Sequence, residues 1–248
     1  MSELAIDKLT LANAGKLLVS DLTLNFKPGE CWAVLGPNGS GKTTLLHALA
    51  GLRDTQGKVT LDGKALNRHP RRELAQNIGL LLQEEAAGFQ GTVAQYVELG
   101  LFAQGTWRQA NTGADLKARA AMSRMEIASE ADRLWNQLSG GERQRARLAQ
   151  LLAQAPAIYL LDEPLLHLDL RHQLAVLHCF QSLARDEGKT VIMVLHDSLW
   201  ASRFCGQALM LYDGGVCRFG SAPSLINKAN LAHLYSCSMD SFEFSLPA

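Results

Sequence analysis

Residues 36–43 read Gly36-Pro37-Asn38-Gly39-Ser40-Gly41-Lys42-Thr43, followed by Thr44. A Gly-x-x-x-x-Gly-Lys-Thr run predicts a phosphate cradle, because glycine reaches backbone dihedrals that side chains forbid and lets successive N–H groups curl around anionic oxygens. Cys31-Trp32-Ala33-Val34-Leu35 is a short apolar run bounded by Pro28-Gly29-Glu30, and Leu45 to Ala50 has helical composition, so the order is strand, loop, helix. The helix opening at Lys42 adds its positive end to the same place. Lys42 is expected to reach the β- and γ-phosphates, Thr43 to ligate Mg²⁺, and Gly39 and Gly41 to permit close backbone approach.

Further along, Ile158-Tyr159-Leu160-Leu161-Asp162-Glu163-Pro164 puts two carboxylates at the end of an apolar run, where ligands of open α/β sheets bind. Ionised groups there need partners. Mg²⁺, reached through water by Asp162, is one, and a water polarised by Glu163 accounts for the other. Between the two segments lies Leu138-Ser139-Gly140-Gly141-Glu142. Ser139 with Glu142 three residues on reads as a capping box for the next helix. Two consecutive glycines, each costly in backbone entropy, read as a place of close approach. A helix N-terminus with bare amides is an anion site, so the segment is expected both to start the helix and to receive a γ-phosphate.

Together with Gln83 in Leu81-Leu82-Gln83-Glu84 and His196 in Val194-Leu195-His196-Asp197, these segments resemble the nucleotide-binding subunit of an ABC transporter over nearly the whole chain. Gly36 to Thr43 matches Walker A, Gln83 the Q-loop, Leu138 to Glu142 the family signature, Ile158 to Asp162 Walker B, and His196 the switch histidine. The resemblance implies the ABC ATPase fold, an α/β P-loop NTPase core with an antiparallel β portion and a helical subdomain. It implies one domain, with residues 1–83 and 139–248 as core and about 84–138 as the helical subdomain. It also implies ATP and Mg²⁺ as cofactors. Glu163, His196 and Gln83 would be catalytic; Thr43, Gln83 and Asp162 would surround the metal; Gly36 through Thr44, Ser139, Gly140, Gly141 and Asp169 would surround the nucleotide. In that family the nucleotide lies between two such subunits, so a homodimer is implied in which one chain makes half of each site. His196 follows an apolar β-rich run and so lies at a strand end, within reach of the γ-phosphate. His47, His69, His167, His172, His178 and His233 lack that context and read as surface or packing residues.

Composition is consistent with this. At 248 residues and 47% hydrophobic the chain can bury a large α/β core. Lys plus Arg is 24 and Asp plus Glu is 24, so no net basic field argues for nucleic acid. No signal peptide is expected from Met1 to Lys8, and no stretch reaches the roughly 18 apolar residues a spanning helix needs, so membrane attachment is expected through polytopic permease subunits at the cytoplasmic face of the inner membrane. Five cysteines without a C-x-x-C spacing suit free thiols in a reducing compartment.

Residues 1 to about 35 and 57 to 66 are expected as strands of the antiparallel β portion, with Leu22, Leu24 and Phe26 on one face. From residue 139 the expectation is helix 141–154, strand 157–162, helix 170–187, strand 190–195, a hairpin at 208–215 and a helical tail. Leu168-Asp169-Leu170-Arg171-His172-Gln173 and the terminal Leu231 to Tyr235 resemble importer subunits for iron–siderophore complexes, haem and vitamin B12, which implies a periplasmic substrate-binding protein as a further partner. An exporter ATPase and a nucleotide-gated interaction protein are the alternatives. In the importer group a permease helix enters a groove, expected here along Ala86, Ala87, Phe89 and Thr92. Two positions depart from the family. Leu166 stands where a serine usually contacts the other subunit. No Tyr, Phe or Trp occurs between residues 1 and 25, so near Asn13 no aromatic can stack on adenine.

Overall fold

The computed structural model describes residues 2–82, 88–105 and 114–238. In chain order the elements are β1 (Leu4–Asn13), β2 (Lys16–Phe26), β3 (Cys31–Leu35), α1 (Lys42–Leu49), β4 (Gln56–Leu61), β5 (Lys64–Ala65), α2 (Arg71–Asn77), β6 (Ile78–Leu81), α3 (Val93–Glu98) and α4 (Ala114–Arg124). There follow α5 (Gly140–Gln154), β7 (Ile158–Asp162), α6 (Leu170–Glu187), β8 (Thr190–Val194), α7 (Ser198–Phe204), β9 (Gln207–Leu211), β10 (Cys217–Ser221), α8 (Ala222–Leu225) and α9 (Lys228–Tyr235).

Two sheets form. The first is antiparallel, in the order β2-β1-β4-β5; the second runs β10-β9-β3-β8-β7-β6 and is parallel except at the β9–β10 hairpin. The strand β3, placed by sequence within the antiparallel portion, belongs instead to the parallel sheet, between β9 and β8. Its five residues are all buried, and a strand covered on both faces reads as an unbroken apolar run rather than an alternation.

The alternation is there, but it divides two cores. Cys31, Ala33, Tyr159, Leu161, Val191 and Met193 face a core shared with α5 and α6, while Trp32, Val34, Ile158, Leu160, Ile192 and Val194 face one shared with α1 and the antiparallel sheet. The strand β1 changes phase once, and β2 twice, the first time at the consecutive buried pair Leu18 and Val19. Inward residues of β1 are Leu4 and Ile6, then Leu9 and Leu11, and the shift falls at Lys8, whose φ is 51°. Asp21, also at φ 51°, does the same in β2 between Val19 and Leu22. These are bulges that keep the apolar set inward after an odd spacing.

Between residues 88 and 138 the described elements are all helical, apart from an isolated bridge between Thr92 and Leu134. Thr92 caps α3 through a capping box with Gln95. Phe89 packs edge-on against Tyr96 and Trp135, which stack on each other at 3.9 Å between centroids. Ala86 and Ala87, expected in the groove with Phe89 and Thr92, lie outside the described residues. Among the described residues no helix is long and apolar enough to cross a membrane.

The core between the parallel sheet and α6 is anchored by Tyr159 and Phe180, 1% and 0% exposed, meeting edge to face at 5.5 Å. Removing the second ring leaves a cavity that β7 and α6 cannot both fill. Phe180→Ala is expected to cost about 3–5 kcal/mol, read as a fall in the urea midpoint with an unchanged denaturant slope.

Candidate functional site

The site lies at the carboxyl end of the parallel sheet, where β3, β7 and β8 release the chain into loops. From β3 the loop closes on itself before α1. Ser40 N donates to the Pro37 carbonyl at 3.2 Å, Gly39 and Gly41 take φ values of 75° and 102°, and a Cβ on Gly41 would lie 2.8 Å from that of Leu18. A Cβ on Gly36 would meet Ser40 Oγ at 2.6 Å and the Leu211 carbonyl at 2.7 Å. Only glycine fits at these two positions. Gly41 is the N-cap of α1 and no side chain caps that helix, so its first amides face the loop.

Lys42 is 7% exposed and donates to the carbonyls of Gly36 at 2.8 Å and Pro37 at 3.0 Å. An ammonium has three protons, so one remains for a further acceptor. Burial pulls its pKa below the ordinary value, while the fields of Glu163 and Asp162 oppose the fall. From β7, Asp162 is 2% exposed. Its Oδ2 accepts from Thr43 Oγ1 at 2.6 Å, and its Oδ1 is buried without a hydrogen-bond partner. Burial raises the Asp162 pKa against the lowering effect of the Thr43 hydrogen bond. A buried, unpartnered carboxylate oxygen beside a hydroxyl is a donor set for a hard cation such as Mg²⁺, so these residues fit the metal. Gln83, expected as its third neighbour, lies outside the described residues.

Glu163 turns the chain sharply away from β7, at φ 51°, a left-handed conformation uncommon outside glycine. Its Oε1 lies 2.7 Å from His196 Nε2, which β8 delivers from the neighbouring strand end. The carboxylate and imidazole meet over a cavity of about 460 Å³ lined also by Asn13, Lys16, Asn38, Lys42, Thr43 and Thr44. Asn13 and Lys16 form a rim outside the motifs, and Arg53 donates to Asn13 Oδ1 at 3.4 Å. The antiparallel sheet carries the end of β1 and the start of β2 to the cradle.

The signature segment stands apart. None of Ser139, Gly140, Gly141 and Glu142 lines that cavity. Ser139 caps α5 as expected: its Oγ accepts from the Glu142 N–H at 3.3 Å and its own N–H donates to Glu142 Oε2 at 2.7 Å. Hydrogen bonds to it from the Ser139 N–H and then the Ser139 hydroxyl, with a further one from Arg133, hold the Glu142 carboxyl below its usual pKa. The two glycines divide in role. A Cβ on Gly141 would lie 2.9 Å from the His167 carbonyl, whereas one on Gly140 would make ordinary contacts of 3.5 Å or more with the His167 ring. The close approach at Gly141 is thus made by this chain's own backbone. Asp169 caps α6, accepting from the His172 N–H at 2.9 Å.

Asp162 generates a stability prediction. Its folded pKa is raised above the unfolded value, so its favourable contribution is present below the unfolded pKa and is lost as pH rises through the folded one. At pH 7 the ionised form therefore costs stability. Asp162→Asn keeps an oxygen for Thr43 and removes the charge, so in chelator and without nucleotide its unfolding midpoint should rise by roughly 2–4 °C at pH 7, with the gain shrinking toward pH 4. A lower midpoint than wild type at pH 7 would contradict this.

Residues 19–166 match the family described as ABC transporter. Over 244 residues the chain is 32% identical to the petrobactin import ATP-binding protein FpuC of Bacillus anthracis, covering 98% of this chain and 90% of the relative. It is 34% identical over 235 residues to the hemin import ATP-binding protein HmuV of Rhizobium meliloti, covering 91% and 88%. It is 35% identical over 236 residues to the ferric enterobactin transport ATP-binding protein FepC of Escherichia coli, covering 92% and 85%. Among solved structures, a dimeric ATP-binding cassette in a post-hydrolysis state with ADP and Pi gives a TM-score of 0.78 at 29% identity, covering 88% of this chain and 98% of that one. With the cradle, the paired carboxylates and the capped signature helix on one fold, and that match spanning more than half of the sequence, the chain belongs to the ABC transporter family as an ATP-binding cassette.

Proposed function

We propose that this chain is the ATPase subunit of an importer for an iron chelate, a ferric siderophore or haem, and that it works as two copies around two ATP molecules. The observation that carries the two-copy reading is the position of the signature. Ser139 is exposed and does not line the cavity beside its own cradle. A phosphate it contacts then belongs to the second copy. The cargo class rests on relatives of nearly equal length that are named for petrobactin, hemin and ferric enterobactin. The remaining partners are polytopic permease subunits and a periplasmic binding protein, with the cassette at the cytoplasmic face of the inner membrane.

In the half-site, the α1 amides and Lys42 bind and orient the phosphates. Thr43 and the open Oδ1 of Asp162 would hold Mg²⁺, which when bound offsets phosphate charge. Glu163 polarises the attacking water, and His196, already at hydrogen-bond distance from Glu163, fixes that carboxylate and faces the γ-phosphate. Gln83 completes the proposed catalytic set. Gly140, Gly141 and Asp169 act on the nucleotide indirectly, through the shape of the signature and the loop beside it.

Glu163→Gln should bind ATP as wild type does and lose turnover by roughly 10²–10⁴, the range of a positioned acid–base group. Phosphate release near the wild-type rate would remove Glu163 from this role.

Base recognition should be weak. Asn13 occupies the rim where an aromatic would stack, and its Oδ1 is engaged by Arg53. An aromatic face contributes on the order of 0.5–1.5 kcal/mol, so GTP should compete with ATP to within about tenfold, and Asn13→Tyr should tighten ATP a few-fold. Competition with a fluorescent nucleotide checks both; discrimination beyond about a hundredfold would mean that a rim group such as Lys16 reads the base.

A further inference from the structure

One arginine outside every motif holds the signature in place. Arg133 Nη1 donates to Glu130 Oε2 and, at 2.9 Å, to Glu142 Oε1, and its Nη2 donates to the Gln137 carbonyl at 2.8 Å. The other oxygen of Glu142 accepts from the Ser139 N–H at 2.7 Å. Both carboxylate oxygens are therefore pinned, and with them the Glu142 N–H on which Ser139 Oγ rests. The backbone around Arg133 is tied elsewhere. Its carbonyl accepts from Val93 N at 3.0 Å, flanked by Ala94 N to the Ala131 carbonyl at 2.9 Å and Trp135 N to the Gly91 carbonyl at 2.9 Å. That strap fixes the start of α3.

We propose that Arg133 is a positioning residue for ATP hydrolysis: its guanidinium holds the signature cap in the conformation that presents the Ser139 hydroxyl and the α5 amides to the nucleotide of the second copy, and its backbone ties that conformation to the start of α3. The proposal rests on the two-copy reading above. The chemistry calls for arginine. Three acceptors on separate pieces of chain, Glu130, Gln137 and Glu142, fan around one planar group, a geometry that a flexible ammonium does not reproduce. The Arg133 side chain is 40% exposed, and exposed ion pairs add little to global stability. Removing it should leave the fold intact while the direction of the Ser139 hydroxyl is lost.

The test uses the full chain carrying Glu163→Gln, so that ATP accumulates unhydrolysed. Light scattering gives the Mg-ATP concentration at half-maximal dimer, with fluorescent-nucleotide binding to dilute monomer and thermal unfolding as companions. Adding Arg133→Gln should raise the half-maximal ATP concentration about tenfold through loss of charge-assisted hydrogen bonds, with monomer binding unchanged within about twofold and the unfolding midpoint close to the parent. Glu130→Gln, which leaves Glu142 and Gln137 in place as acceptors, should shift dimerisation less. A half-maximal ATP concentration for Arg133→Gln within about twofold of the parent overturns the proposal, as does a loss of dimer that only tracks a loss of folded protein. If Arg133→Gln does not fold, Arg133→Lys, which keeps the charge but not the fork, is judged by the same criterion. A parent that stays monomeric at saturating ATP overturns the two-copy reading itself, and the role of Arg133 falls with it.

Discussion

The site depends first on the 2.6 Å hydrogen bond from Thr43 Oγ1 to Asp162 Oδ2. It joins the first turn of α1 to the end of β7, and those two elements come from strands that are not neighbours, since β8 lies between β3 and β7. Chain leaving β3 and chain leaving β7 open a crevice at the carboxyl edge, the usual ligand position in such sheets. The hydrogen bond spans that crevice. It also sets the electrostatics, because it leaves one Asp162 oxygen buried and unpartnered and places the carboxylate where its field helps keep the buried Lys42 charged.

The rigidity behind this edge comes from a sheet buried on both faces. Interiors packed at crystal-like density resist deformation, so the strand ends form a fixed platform while the adjoining loops carry the strain. Glu163 sits at φ 51° and His167 at φ 62°, and among the described residues the buried side-chain atoms without partners include Ser40 Oγ, His47 Nε2 and Asp162 Oδ1. These three belong to the cradle, its helix and the facing strand. Polar groups left unsatisfied cost stability, and concentrating them here is consistent with a site shaped for a ligand rather than for the empty state.

Sequence made the strands around the site legible because each is an apolar run ended by a chemically distinctive residue: Gly36 after β3, Asp162 closing β7, His196 just beyond β8. It made Leu22, Leu24 and Phe26 legible as one face for the same reason. It made no assignment for α2 and β6, which follow one another without a turn residue to mark the boundary. Gly79 in β6 has a packing reason: a Cβ there would lie 2.6 Å from Leu151 Cδ1 and 2.7 Å from Pro156 Cγ, so the strand gives up a side chain to let α5 and the turn before β7 pack closely. Arg53, which reaches Asn13, and Arg133 behind the signature were illegible because their partners are brought near only by tertiary folding.

Helix α5 ties these parts together. Its N-terminus is the capped signature, with Gly141 under the His167 carbonyl. About one turn on, the buried Gln144 donates to the carbonyls of Glu163 at 3.4 Å and Pro164 at 3.0 Å. One turn further, Arg147 donates to Gln144 Oε1 at 3.0 Å and to the carbonyl of Leu82, the residue before Gln83. A single rigid element thus touches the loop that carries Glu163, the approach to Gln83 and the surface proposed to face the second copy. Leu166, 41% exposed, lies in the loop whose start Gln144 holds and whose His167 carbonyl packs against Gly141. An apolar side chain there removes a hydroxyl donor without loosening the Gln144 hydrogen bonds, because both are accepted by backbone carbonyls. The link through α5 between the signature and the loop that carries Glu163 therefore needs no contact from the side chain at position 166.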